Sequence, residues 1–504
     1  MHERLREAIV PTAYGITALC TFRHYGMTFD EAVQSYYGEL TLRYFRSGFT
    51  DHAAQQFSDL KYYGPLFETI AAAVYSPFMR WKYDIRHLLI AITALITIVA
   101  VGRLAKLADA DPLVAQLALV MLPQFWGHSF VNSKDIPFAC TCALAALAFA
   151  RIPDGRWQMA DGRSNGDSAI RHPPSAIGRA CCAGIAAGAA LAIRPGGAVF
   201  FVMTAIVVVA LTRRLKPMFV AGLVAWAVMV AVWPWAHLNP ILNPIRAVRI
   251  AASFTTKLPV LFEGRFIGSD LLPRRYLAEM LAITTPLPIL ILALAGVVFV
   301  RGRTRVLVAA WMIVPIVLFT IWKPNVYDGI RHFLFLLPFF AVSCAVAARE
   351  IVRRWPRALP AVLLVLALSI IPIVRLHPYE MTYYNTLVGG TGGAATRFDT
   401  DYWLSSYREA AAWLRANACP NRPTRVLVAA TQSSIGCLRY YLPHDRFVVS
   451  LKGEWGSPPQ LPPAYDYYVG TTRWGLAAEY KATPVAHVIE RDGAAFTVIR
   501  GRCR

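Results

Sequence analysis

Apolar positions in this chain run together rather than alternating with polar ones. Stretches at or near the roughly 17–25 residues needed to cross about 30 Å of hydrocarbon lie at 87–102, 112–130, 136–150, 180–193, 198–212, 217–235, 284–300, 306–322, 332–348 and 358–374. An eleventh, 8–22, is short, contains Pro11 and follows a basic start. No small-x-small cleavage site follows it, so it reads as a first anchor rather than a signal peptide. Basic loops fall between alternate pairs of stretches: Arg103/Lys106, 151–179 with five arginines, Arg213/Arg214/Lys216, Arg301/Arg303/Arg305 and Arg349/Arg353/Arg354/Arg357. The positive-inside rule places all five, and the N-terminus, in the cytoplasm. That parity forbids a crossing by the apolar segment 62–79. With Tyr62, Tyr63, Tyr75, Trp81 and Tyr83 along it, and Pro65 and Glu68 within it, this segment is predicted to lie along the outer interface or to dip in and return.

The pattern therefore predicts an all-α polytopic membrane protein of about eleven transmembrane helices, with a membrane domain over 1–375. Its large outer loops are 23–86, 235–283 and 376–504, and the first carries interfacial helices. From 404 onward the period changes. An amphipathic helix at 404–418, strands at 425–430, 446–451 and 465–470, and a hairpin at 487–500 turning at Asp492-Gly493 predict a small extracytoplasmic α/β domain.

Composition sharpens this picture. The chain is 56% hydrophobic and only 16% charged, which is not a soluble composition. Its 51 Lys+Arg against 30 Asp+Glu give a formal charge of +21; the surplus sits in loops between apolar runs, so it reads as topology and not as nucleic-acid binding. Nine cysteines show no Cys-x-x-Cys or Cys/His metal spacing; Cys419 and Cys437 are either a pair in an extracytoplasmic tail or two free thiols.

The ten clear stretches contain no Asp, Glu, Lys or Arg, and Arg194 sits between two of them. Ion and proton paths need such groups, so a transporter loses weight. Charges collect instead at the outer boundary, in four clusters. In Thr28-Phe29-Asp30-Glu31 the adjacent carboxylates point different ways on a helix; Asp30 is either a helix cap or a site residue. Lys134-Asp135 sits at the outer mouth of two stretches, where Asp135 equally suits a cap. Tyr327-Asp328-Gly329-Ile330-Arg331-His332 is dense in donors, with Arg331 and His332 either snorkelling anchors or a phosphate clamp. The run from His377 to Asn385 is followed by Gly389–Gly393, which lacks the Gly-Lys-Ser/Thr of a P-loop and reads as a flexible connector; Asp399-x-Asp401 suits a cap ahead of a divalent-cation site. Rossmann, P-loop, HExxH and GxSxG motifs are absent. Group transfer on the outer face then needs a donor carried by the membrane.

The combination of Phe29-Asp30-Glu31, Tyr62-Tyr63-Gly64-Pro65, Asn132-Ser133-Lys134-Asp135 and Asn325-Val326-Tyr327-Asp328-Gly329-Ile330-Arg331-His332 with this topology resembles the C-type glycosyltransferases (GT-C), over roughly residues 1–385. It is most similar to the branch of protein O-mannosyltransferases and lipid A aminoarabinose transferases. The resemblance implies transfer of a sugar from a polyprenyl-phosphate donor to a hydroxyl of a glycolipid, glycan or protein, with inversion. It implies Asp30 as general base, with Glu31 and Asp135 as further acidic candidates. Lys134, Arg331, His332, Arg194 and Arg265 become candidates for the donor phosphate, and Tyr62, Tyr63, Tyr327 and Asp328 for the acceptor or sugar. Tyr63-Gly64-Pro65 stands where O-mannosyltransferases often carry His-Pro-Pro, which weighs against protein as acceptor. No metal-binding residues are assigned, although the family admits a divalent cation. Compact loops and Arg/Ala-rich usage place the chain in a bacterial inner membrane, tail in the periplasm. The competing readings are a lipid-linked saccharide transporter or flippase and a non-catalytic membrane scaffold.

Overall fold

Prolines set where the helices begin. The structure, a computed structural model describing residues 2–152, 176–252, 257–430, 432–454 and 464–503, starts helix after helix with proline in its first turn. There the missing N–H costs nothing and the fixed φ suits a helix. The N-terminal half contains α1 (His2–Thr21), α2 (Glu31–Arg46), α3 (Ala53–Gln56), α4 (Leu66–Tyr75), α5 (Lys82–Leu107), α6 (Pro112–Val120), α7 (Pro123–Val131) and α8 (Asp135–Arg151). Then come α9 (Ala176–Leu191), α10 (Ala198–Thr212), α11 (Lys216–Ala231), α12 (Pro234–Leu238), α13 (Leu242–Ala252) and α14 (Tyr276–Thr284), with a hairpin β1 (Pro259–Phe262)–β2 (Arg265–Gly268) before the last. The membrane part closes with α15 (Leu287–Val298), α16 (Arg303–Trp322), α17 (Leu337–Arg354), α18 (Leu359–Ala367) and α19 (Ile370–Leu376).

The chain is a multi-pass helical protein, but its helices do not match the eleven predicted crossings one for one. Among the described residues, five helical runs are long and apolar enough to cross a membrane: 66–107, 195–212, 303–322, 331–354 and 356–376. The α7–α8 pair forms a sixth if counted as one span, bent by 113°, and α9, α11 and α15 are shorter apolar helices. The predicted stretch 112–130 breaks at Leu122 because Pro123 disfavours helical geometry in the residue before it. Segment 62–79 yields α4, whose ten residues make about 15 Å, followed by a 3-10 turn with Phe78 outside helical geometry. Most of the five-arginine loop, 153–175, lies outside the described residues.

The tail is the predicted α/β domain. Its strands β3 (Thr424–Ala430), β4 (Phe447–Glu454), β5 (Tyr467–Thr471), β6 (Val485–Arg491) and β7 (Ala494–Gly501) form one sheet in the order β4-β3-β5-β7-β6, the first three parallel and β6–β7 a hairpin turning at Asp492-Gly493. Helices α21 (Tyr407–Ala416) and α22 (Gln432–Arg439) pack on it. Gly390–Ala394 forms a short helix, α20, so the glycine run is an ordered turn and not a loose connector. Cys419 bonds Cys503, while Cys437 is buried and free, so the Cys419–Cys437 pairing is corrected. The two bonded cysteines flank β3 and β7, which a reading by sequence proximity misses.

The tail is not an appendage. Phe29, between α1 and α2, donates its N–H to Trp403 C=O (3.0 Å) and packs against the tail's core, and Asp399 accepts the N–H of Leu261 in β1 (3.1 Å). Burial lifts the Asp399 carboxyl to about 7, with Arg473 opposing and Asp328 adding to the rise. A value raised above the unfolded 3.8 stabilises the fold fully below that pH and is lost as pH rises towards 7. Asp399→Asn removes this loss. Thermal unfolding in detergent should show the variant gaining on wild type between about pH 4 and 7, with the difference constant above that.

Candidate functional site

Helix α2 opens with a reciprocal cap. Glu31 Oε2 accepts the Thr28 N–H (2.8 Å) and hydroxyl (3.2 Å), while the Glu31 N–H donates to Thr28 C=O (3.1 Å). This is the glutamate half of a Ser/Thr-x-x-Glu capping box; the Thr28 hydroxyl donates to Glu31 instead of accepting its N–H. It occupies Glu31, whose other partners are His87 Nε2 at 3.1 Å and Arg86 Nε at 4.0 Å. Asp30 makes no cap hydrogen bond. Its carboxylate is 32% exposed and lies 3.1 Å from Arg331 Nη1.

Behind this turn Arg86 is fully buried. It gives two N–H groups to Glu68 (2.6 and 3.3 Å) and lies 4.0 Å from Glu31. Glu68 also accepts the Ser133 hydroxyl at 2.5 Å. One guanidinium thus ties the Asp30 turn to the turn carrying Lys134. In that second turn Asn132 Oδ1 accepts the N–H groups of Lys134 (3.2 Å) and Asp135 (2.8 Å), and Asn132 Nδ2 donates to Asp135 Oδ2 (2.9 Å). Asn132 supplies the cap, so Asp135 is free to pair with Arg194.

Lys134 Nζ sits 4.2 Å above the ring of Tyr63, which Gly64 positions. A Cβ on Gly64 would stand 2.1 Å from the Ala192 backbone, and the Leu66 N–H donates to Ala192 C=O (3.1 Å). Only glycine lets this strand of chain lie on the end of α9, two residues ahead of Arg194. Burial raises the Tyr63 phenol, with Arg194 and Arg331 opposing.

The third element is the loop before α17. Asp328 (φ 60°) and Gly329 (φ 64°) take consecutive left-handed conformations, which Asp and Gly tolerate best. Asp328 is thereby buried between Arg331 Nε (3.1 Å) and Arg473 Nη2 (2.8 Å). Burial raises its carboxyl while Arg473 and Arg331 oppose. Arg331 lies between the rings of Tyr327 (4.8 Å) and Trp403 (4.9 Å), and His332 meets Tyr327 edge-on. It is 5% exposed and points inward, so it is not a snorkelling anchor. The Tyr327 phenol is pushed up to about 12 by burial against the pull of Arg331, and so remains a donor at neutral pH.

Tyr63, Tyr327 and His332 from this cluster line a cavity of about 170 Å³. Tyr62, Tyr63, Arg194, Asn325, Tyr327 and His332 form its polar side; Phe138, Phe200, Phe333 and Phe335 form its apolar wall. Phe200 also borders a narrow apolar groove between α10 and α16. The arrangement can hold an anion against Arg194, beside an apolar wall that continues to the helices α10 and α16. Arg265 is not brought to this cluster; it is exposed on the β1–β2 hairpin. Among the described residues no three His, Cys, Asp or Glu side chains converge to hold a metal ion. Asp401 is committed to the N–H groups of Ser405 (2.9 Å) and Ser406 (3.0 Å).

Sequence reasoning missed Arg86 and Arg473, and assigned no role to Asn132, Ser133 and Trp403 within the clusters that contain them. The Thr28-x-x-Glu31 spacing was a readable signal that Glu31, and not Asp30, serves the cap. Nothing local marks Arg473, which reaches Asp328 across 145 positions of sequence.

No protein-family profile matches the sequence, and no curated protein matches it. Solved structures do. ArnT from Cupriavidus metallidurans, in the apo state, superposes with a TM-score of 0.51 at 14% identity, covering 97% of both chains. The apo oligosaccharyltransferase of Archaeoglobus fulgidus gives 0.51 at 14% identity over 88% of this chain and 64% of its own. The form of that enzyme tethered with an acceptor peptide containing the NVT sequon gives 0.50 at 14% identity, over 88% and 63%. The chain shares the fold of these proteins.

The buried network yields a prediction. Arg86→Met leaves two carboxylates buried without their cation, at a cost of about 3–5 kcal/mol. The unfolding temperature in detergent should fall sharply, and the double variant Arg86→Met/Glu68→Leu should recover part of the loss.

Proposed function

We propose that this chain is a membrane glycosyltransferase that moves a sugar from a polyprenyl-phosphate donor to a hydroxyl of an envelope acceptor. The observation that carries the reading is the pairing of Asp30, a part-exposed carboxylate that makes no helix cap, with Arg331 (3.1 Å), which packs on Tyr327 of a cavity lined by Arg194 and walled by phenylalanines towards the membrane helices. The fold shared with ArnT supports it. So does the absence of charged residues within the apolar stretches, which leaves a transporter without a path.

In this mechanism the polyprenyl chain lies in the groove beside Phe200 and its phosphate faces Lys134, Arg194 and His332. Asp30 takes the proton of the acceptor hydroxyl. The oxygen attacks the anomeric carbon from the face opposite the phosphate, so configuration inverts. The bond from that carbon to the phosphate oxygen breaks, and its electron pair leaves with the lipid phosphate. Because that group departs as an anion, fixed cations matter more than a strong acid. Arg331 spends N–H groups on Asp30 and Asp328 and has others for the phosphate. Tyr63 and Tyr327 offer phenol donors to the sugar. Glu31, bound in its cap, acts by shaping the Asp30 turn, and Arg265 has no part in the step. We place the chain in a bacterial inner membrane by eleven crossings, with its N-terminus in the cytoplasm and its tail in the periplasm.

The test is release of free polyprenyl phosphate by purified protein given a panel of polyprenyl-phosphate sugars with glycolipid, glycan and peptide acceptors. The archaeal neighbour's acceptor peptide is the reason a peptide belongs in that panel. Wild type should turn over one donor, and Asp30→Asn should lower kcat by about 10²–10⁴-fold with unfolding temperature unchanged. Turnover unaffected by Asp30→Asn would remove Asp30 as the base.

A further inference from the structure

The largest described cavity lies elsewhere. It measures about 530 Å³, against 170 Å³ at the candidate site, and opens between α1, α6 and α19. Along α1 it runs from Ile9 past Ala13 to Thr21 and His24, roughly 22 Å at helical rise; Val374 and His377 face it from the C-terminal end of the membrane domain. One end is apolar and the other carries two imidazoles.

Those imidazoles are wired to a buried acid. His24 Nδ1 lies 2.8 Å from His377 Nε2, and His377 Nδ1 lies 2.7 Å from Glu380 Oε1. Glu380 is fully buried and also accepts the Tyr25 hydroxyl at 3.0 Å. With Glu380 ionised, one proton arrangement satisfies the chain. His377 Nδ1–H donates to Glu380 and His24 Nδ1–H donates to His377 Nε2, which leaves His24 Nε2 as an acceptor on an exposed residue. Burial, His377 and Arg408 together hold His24 below the usual histidine range, against Glu380, so it stays neutral at neutral pH. Arg408 is fixed at the same mouth by the carbonyls of Arg23 and Tyr25 and keeps further N–H groups.

An acceptor backed by a buried carboxylate, beside a guanidinium, complements an ammonium next to a phosphate. We infer that this cavity binds an ethanolamine phospholipid, its acyl chain along α1 and α19, its ammonium donating to His24 and its phosphate on Arg408. The site is separate from the proposed transfer chemistry and uses none of its residues.

Reconstitution into nanodiscs with equimolar phosphatidylethanolamine, phosphatidylcholine and phosphatidylglycerol of matched chains, followed by native mass spectrometry, tests it. Choline keeps the positive charge but has no N–H to donate; glycerol keeps donors but has no cation. Wild type should retain the ethanolamine lipid about tenfold over the other two. His24→Phe should level ethanolamine with choline, and Ala13→Trp, which fills the apolar part, should reduce retention of all three. Equal retention of choline or glycerol lipid by wild type would overturn the proposal, as would ethanolamine retention undiminished in Ala13→Trp.

Discussion

A guanidinium in a low-dielectric interior must be paired, and Arg86 is paired only when several segments are in place at once. Its charge is met by Glu68 on α4 and approached by Glu31 on α2, while Glu68 takes the hydroxyl of Ser133 from the turn before α8. Leaving out any of these leaves a charge or donor buried without a partner, so the network admits one arrangement of α2 and α4 against α5 and the turn before α8. The two turns that present Asp30 and Lys134 inherit their relative position from it.

The tail enters the same arrangement from the opposite side. Arg473 completes the cage around Asp328, and Trp403 forms one face of the slot that holds Arg331. Tyr441 in the tail accepts the N–H of Met27 at 2.7 Å, just ahead of the Asp30 turn. The candidate site is therefore an interface between a membrane domain and a small sheet domain, and neither part contains it alone.

Much of this was legible in the sequence where the physics is local. Apolar runs and arginine loops announced a polytopic membrane protein; turn residues and alternation announced the tail's strands and the Asp492-Gly493 hairpin. Of the residues picked from outer clusters, Tyr63, Tyr327 and His332 line one cavity, while Lys134 and Arg331 pack on those tyrosine rings, Asp30 and Asp328 pair with Arg331, and Asp135 pairs with Arg194. The failures were of two kinds. Span boundaries were blurred because a proline such as Pro123 restarts a helix without interrupting the apolar pattern. Partners distant in sequence, such as Arg473 with Asp328, or Cys419 with Cys503, leave no local trace, since the sheet order that joins them is not written in any window of residues. Arg265 shows the converse error: charge in an outer loop suggested a role, but a solvent-facing hairpin position gives it none.

The 113° bend between α7 and α8 has an electrostatic meaning beyond its geometry. A span that ran straight through would bury its peptide dipoles end to end within the membrane. Breaking it at Asn132–Lys134 instead places a helix start, the positive end of the α8 dipole, beside Lys134 and Arg194, with Asn132 accepting the Asp135 N–H. Asp135, at the head of α8, is steadied by that field as well as by Arg194. The backbone itself thereby adds to the positive potential of the cavity mouth, a contribution that no substitution of a side chain would remove.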